Sequence, residues 1–130
     1  MSPRTGVRVL CVDDHPDVAH TLVILFNLSG FEARECLDSS SAVAVAREFR
    51  PHACVVDVNM PVMDGCEVAR RLREEFGPAV LLIALSAMHG DEHERRVVAA
   101  GFDLSFTKPP NLTRLLEAVA SAEGRQKNAS

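Results

Sequence analysis

Asp13-Asp14, Asp57, Ser86 and Lys108 each follow a short apolar run. Val7 to Val12 leads into the two aspartates, and Ala53 to Val56 into Asp57. Ala79 to Leu85 leads into Ser86-Ala87, and Leu104 to Phe106 into Lys108-Pro109. Gathered at one place, these ends would present three carboxylates, a hydroxyl and an ammonium. Two carboxylates about 4 Å apart repel by roughly 4 kcal/mol at an effective dielectric near 20, so three demand a cation among them or a proton on one. Lys108 supplies one positive charge and a divalent ion could supply two more. Hard oxygen ligands, with no His or thiolate at the strand tips, favour Mg²⁺, or Mn²⁺ in its place, over zinc. A metal, a lysine and a hydroxyl around one carboxylate form an arrangement for phosphoryl transfer to that carboxylate.

The pattern between these residues predicts the elements that gather them. Val7 to Val12 is β-branched and apolar enough for a buried strand, and Pro16 suits a first helical turn. Val18, Leu22, Leu25 and Leu28 follow at helix spacing until Gly30. A weaker strand covers Glu32 to Leu37, and Asp38 with the three serines after it caps a helix that Pro51 stops after about Arg50. Ala53 to Asp57 is a third strand, and Asp64-Gly65 opens a helix through Val68, Leu72 and Phe76. The run Ala79 to Leu85 is apolar throughout, as a strand covered on both faces must be. A helix from Asp91 to Ala100, a strand from Leu104 to Phe106, and a helix capped by Asn111 and running through Val119 complete the chain. Five strand-then-helix repeats imply an α/β fold with a parallel sheet, doubly wound, with helices on both faces. Five strands are too few for the eight-stranded barrel, and an open sheet of this kind binds its ligands at the carboxyl ends of the strands.

Composition sets the bounds. The chain has 130 residues, 47% hydrophobic and 25% charged, which is one globular domain's worth. A formal charge of −4 disfavours direct nucleic-acid binding, which usually needs a basic face. No run approaches the roughly 18 apolar residues of a membrane span, and the polar N-terminus lacks a secretory signal, so a cytoplasmic location without membrane insertion is expected. The cysteines Cys11, Cys36, Cys54 and Cys66 lack CxxC spacing and read as reduced, buried hydrophobes.

Read in order, the segments Val9-Leu10-Cys11-Val12-Asp13-Asp14, Val55 to Gly65, Ile83-Ala84-Leu85-Ser86-Ala87, Gly101-Phe102-Asp103 and Thr107-Lys108-Pro109 resemble the receiver domain of two-component response regulators. The resemblance implies a flavodoxin-like sheet of strand order 2-1-3-4-5, carried over from that family. It implies a receiver domain over residues 6–122, with 123–130 as a polar tail or linker. By the same resemblance Asp57 accepts a phosphoryl group from a phosphohistidine of a sensor histidine kinase or phosphotransfer protein. Mg²⁺ is then held by Asp13, Asp14, Asp57 and the backbone carbonyl of Asn59, while Ser86 and Lys108 bind phosphoryl oxygens and the Lys108–Pro109 peptide is cis. The partner surface is the last helix-strand-helix unit, near Asp91 to Ala122. Such a chain is a signalling domain and not an enzyme in its own right. If the chain is complete it signals by docking; if more chain follows, residues 123–130 are a linker.

One departure stands out. The family usually has Tyr or Phe three positions before the lysine, where this chain has Ser105, and it has no Tyr at all. Phe106 is adjacent but should face the other way in a strand. Asp64, Asp17, Asp38 and Asp91 read as structural caps and first-turn acids, and His15, His20, His89 and His93 as solvated side chains on helix faces rather than zinc ligands. The competing function is a Mg²⁺-dependent phosphotransferase or hydrolase acting on an external substrate. It is weakened by short loops and the lack of a glycine-rich phosphate loop.

Overall fold

In the computed structural model, which describes residues 6–60 and 63–128, five strands form one parallel sheet. The elements are β1 (Arg8–Val12), α1 (Pro16–Leu28), β2 (Glu32–Cys36), α2 (Ala42–Phe49), β3 (Ala53–Asp57), α3 (Gly65–Phe76), β4 (Leu81–Ser86), α4 (Asp91–Ala100), β5 (Leu104–Thr107) and α5 (Leu112–Asn128). The strand order is β2-β1-β3-β4-β5, as the resemblance implies.

Alternation along the strands divides the core in two. Val9 and Cys11 of β1, Val55 of β3 and Ile83 and Leu85 of β4 pack with Leu22 and Phe26 of α1 and Leu115 and Val119 of α5. Leu10 and Val12, Cys54 and Val56, and Leu82 and Ala84 point the other way, onto α2, α3 and α4. Each layer excludes water from one face of the sheet, and a fully buried Leu or Val contributes about 1.5–3 kcal/mol. The central strands β3 and β4 are buried at every position, which explains why their sequences are apolar up to the Asp57 and Ser86 that end them. The same alternation sends Cys11 and Cys54 to opposite faces although their strands are neighbours, and all four cysteines are buried free thiols. Burial pushes the Cys54 thiol up to about 12, so these groups serve as packing.

Boundaries differ from expectation where local turns intervene. Ala79 belongs to a 3₁₀ turn, Gly77–Ala79, and β4 begins only at Leu81. The three serines after Asp38 form another such turn, with Asp38 accepting from the backbone N–H of Ser40, and α2 follows at Ala42. The last helix continues to Asn128, through residues expected to be tail, and Asn111 accepts from the N–H of Arg114 at its start. Pro61 and Val62 of the loop after Asp57, and the extreme termini, lie outside the described residues.

Two devices hold the strand ends in place. Arg73, in α3, donates to the carbonyls of Gly77 (2.7 Å), Val80 (2.9 Å) and Gly101 (2.7 Å) and to Asp103 Oδ2 (2.7 Å). Asp103 Oδ2 also accepts from the N–H of Leu82, so one arginine ties α3, the entry to β4 and the turn before β5 together. At the other end of α3, Asp64 accepts from the N–H of Glu67 and Gly65 donates to the carbonyl of Val58 (3.0 Å), closing the loop that leaves β3. A side chain at Gly65 would start 2.6 Å from Val58 Cα, so only glycine lets the helix pass this close. Gly65→Ala should therefore displace the Asp57–Val58 backbone and cost about 1–3 kcal/mol by urea denaturation, whereas an Ala replacing the exposed Gly124, which has open space around it, should cost little.

Candidate functional site: an acidic cluster at the strand ends

The parallel sheet places the carboxyl ends of β1, β3, β4 and β5 on one edge. The ladder extends one residue past the strands: the N–H of Asp13 donates to the carbonyl of Cys36, that of Val58 to Leu85, and that of Lys108 to Ser86. Those bonds fix where each side chain leaves the backbone.

Asp57 is buried, with 1% of its surface exposed, and Asp13 is nearly so at 2%. Asp57 Oδ1 accepts from the backbone N–H of Asn59 and lies 3.0 Å from Lys108 Nζ. The Lys108–Pro109 peptide is cis. Ser86, the last residue of β4, accepts from the N–H of Met88 through Oγ and points that hydroxyl toward Asn59 Oδ1 at 3.5 Å. All five expected side chains thus come to one edge; Lys108 touches Asp57 directly, and Ser86 reaches the cluster through Asn59.

Asp13, Asp14 and Asp57 each keep one buried carboxylate oxygen (Asp13 Oδ2, Asp14 Oδ1, Asp57 Oδ2) with no hydrogen-bond partner. An orphaned polar atom costs about 1–3 kcal/mol, more if charged. Three such oxygens converging from two strands are therefore the chemistry of a divalent-cation site, and the donor set fits one. One ligand atom from each of these residues and one from His15 all lie within 4.8 Å of one another.

His15 was expected on a solvated helix face; its side chain is 63% exposed, but it sits before the helix and against the acids. It precedes α1, its ring Nδ1 lies 3.0 Å from Asp13 Oδ1, 3.2 Å from Asp14 Oδ1 and 3.9 Å from Asp57 Oδ2, and its backbone N–H donates to Asp13 Oδ1. The bond to Asp13, reinforced by the charge of Asp14, holds its imidazole above the usual histidine range. The pair His89 and His93 is corrected. His89 lies in the loop before α4, and His93 turns inward, 7% exposed, so the two share no solvated face. Asp64, Asp38, Asp17 and Asp91 hold the cap and first-turn positions expected of them.

Ser105 donates to the carboxylate of Glu94 on α4 (3.1 Å), while Phe106 packs on the opposite face of the sheet. An apolar cleft of about 530 Å³ opens beside the cluster between α1 and the segment before α5, lined by Val18, Leu22, Leu85, Lys108, Pro109 and Leu112. Composition and spacing gave no sign of Arg73 or Glu94, because their partners are backbone carbonyls and a serine remote in sequence.

The sequence profile of the response regulator receiver domain matches residues 9–120. The chain belongs to that family. The transcriptional regulatory protein PrrA of Mycobacterium tuberculosis is 39% identical over 115 residues, covering 88% of this chain and 49% of that protein. The DNA-binding response regulator MtrA of Mycolicibacterium smegmatis is 40% identical over 78 residues, covering 59% of this chain and 34% of that protein. The chain spans about half the length, or less, of these curated relatives. Among solved structures, the Vibrio cholerae chemotaxis protein CheY4 superposes with a TM-score of 0.83 at 26% identity, covering 90% of this chain and 98% of that one. This is a receiver domain of two-component signalling, and its fold is the one its sequence implies.

The ion pair between Lys108 and Asp57 should be measurable. Lys108→Met leaves the buried carboxylate without its cation and should destabilise the domain, and Asp57→Asn should recover most of the loss. A double-mutant cycle in urea should return a coupling of about 1–3 kcal/mol, and a coupling near zero would mean that the contact carries no energy.

Proposed function

We propose that Asp57 is the phospho-acceptor of this receiver domain. The reading rests above all on the buried Asp57 carboxylate paired with Lys108 at 3.0 Å, beside acids whose oxygens lack partners. In the step, a carboxylate oxygen of Asp57 attacks the phosphorus of a phosphohistidine. The P–N bond breaks, the imidazole leaves with its electron pair and takes a proton from solvent, and an acyl phosphate forms on Asp57.

Asp13, Asp14, Asp57 and the backbone carbonyl of Asn59 would hold Mg²⁺, or Mn²⁺ in its place. When bound, the cation neutralises charge on the phosphoryl oxygens. Lys108 keeps its ammonium on the same carboxylate and follows the phosphoryl oxygen as charge builds there. A compact ammonium suits this better than a planar guanidinium with its own geometric demands. Ser86 turns its hydroxyl from Asn59 toward the phosphoryl group, and the backbone N–H of Asn59 keeps the acceptor oriented throughout.

The partner is a sensor histidine kinase or a phosphotransfer protein in the cytoplasm, and its phosphohistidine approaches the open edge of the sheet. The response leaves through the face from Asp91 to Ala122. With Ser105 in place of the aromatic, the phosphorylated state is read through the contact between β5 and α4 that Ser105 and Glu94 make. Direct nucleic-acid contact draws no support from a net charge of −4, and the names of PrrA and MtrA describe proteins of which the match covers half or less. Among the described residues no helix is long and apolar enough to cross a membrane.

The test is incubation with Mg²⁺ and acetyl phosphate, followed by intact mass and tandem mass spectrometry. One phosphoryl group should appear on Asp57, absent in Asp57→Asn and in EDTA, and Lys108→Ala should slow labelling by about 100-fold. Labelling unchanged in Asp57→Asn would move the acceptor elsewhere. Steady turnover of an added phosphoester would favour the phosphotransferase or hydrolase reading.

A further inference from the structure

The expectation of a hard, all-oxygen cation site assumed no histidine at the strand tips. The fold places one there. His15 Nδ1 stands within 3.2 Å of both Asp13 Oδ1 and Asp14 Oδ1 and 3.9 Å from the orphaned Asp57 Oδ2. The chain fixes where this side chain starts: the backbone N–H of His15 donates to Asp13 Oδ1 at 2.9 Å, and Pro16 begins α1 immediately afterwards. The ring remains open to water on its far side, with 63% of the side chain exposed. Because a carboxylate only accepts, Nδ1 donates its proton to Asp13 here; a divalent ion seated among the acids would take the place of that proton on Nδ1, while Nε2–H stays toward water.

We propose that His15 supplies a nitrogen ligand to the cation held by Asp13, Asp14 and Asp57, and so shifts the site's preference from Mg²⁺ toward transition-metal divalent ions. The proposal rests on reading the three acids as the cation site. Mg²⁺ binds through oxygen and dehydrates reluctantly, so it gains little from an imidazole. Ions from Mn²⁺ to Zn²⁺ accept imidazole nitrogen readily, and their affinity for such mixed sites rises along the series toward copper. Three carboxylates alone would already bind Co²⁺ somewhat more tightly than Mg²⁺. The signature of the nitrogen is thus the change in the ratio of the two affinities when the ring is removed.

The experiment is calorimetric titration of the whole chain with Mg²⁺ and with Co²⁺ at one fixed pH, for the wild type, His15→Ala and Asp13→Asn. His15→Ala should weaken Co²⁺ binding by at least about tenfold, the low end of what loss of even an outer-shell partner costs, and should leave Mg²⁺ affinity within about twofold. Zn²⁺ added to ¹⁵N-labelled protein should shift the Nδ1 resonance of His15 and leave that of Nε2 near its neutral, protonated position. Equal losses for both ions, no loss for either, or an Nδ1 resonance that ignores Zn²⁺ would overturn the role of His15 while leaving the carboxylate site intact. Binding that survives Asp13→Asn unchanged, or no saturable binding by the wild type, would overturn the cation site and this inference with it.

Discussion

Everything at the carboxyl edge of this sheet depends on holding three acids within a few ångströms of one another. Their mutual repulsion opposes the fold, and the chain offsets it with a small set of fixed positive groups. Lys108 places an ammonium on Asp57, and the backbone N–H groups of His15 and Asn59 donate to Asp13 and Asp57. Neither carboxylate is fully satisfied by these contacts, since each keeps one buried oxygen without a partner. A site left in this condition is poised for added positive charge, because a cation there removes a standing electrostatic cost as well as forming new bonds.

The rest of the domain supplies rigidity for that arrangement. Two apolar layers clamp the sheet from both sides, so β1 and β3 cannot slip by a residue without turning their side chains into the wrong layer. Gly65 allows α3 to approach the backbone of Asp57 and Val58, and Arg73 anchors the far end of the same helix to the start of β4 and the turn before β5. The elements that carry Asp57, Ser86 and Lys108 are thus joined through one helix.

Signal transmission has to use what this chain possesses. The strand position usually filled by an aromatic holds Ser105, whose hydroxyl donates to Glu94 on α4. Arg96 of the same helix pairs with Asp64 at the start of α3 (2.7 Å). The face opposite α1 and α5 is therefore tied by polar contacts that are individually worth about a kcal/mol or less. Contacts of that size can be exchanged when charge changes at Asp57, whereas the packed apolar layers cannot.

Much of this was legible in the residues. The period of the apolar positions gave the alternation of strands and helices, because burying a sheet on both faces leaves a uniform apolar run and burying one side of a helix leaves a spaced one. The caps at Asp64 and Asn111 and the breaks at Gly30 and Pro51 were equally local, so they could be read from neighbours in the chain. The conjunction of Asp13, Asp14, Asp57, Ser86 and Lys108 was legible because each ends a strand, and parallel strands end together. What lay beyond the sequence were contacts between residues far apart in it. The reach of Arg73 to the carbonyl of Gly101, the bond from Ser105 to Glu94, the inward turn of His93 and the imidazole of His15 over the carboxylates all depend on side-chain directions and helix placement. Those are set only when both layers have packed, and no period or spacing along the chain records them.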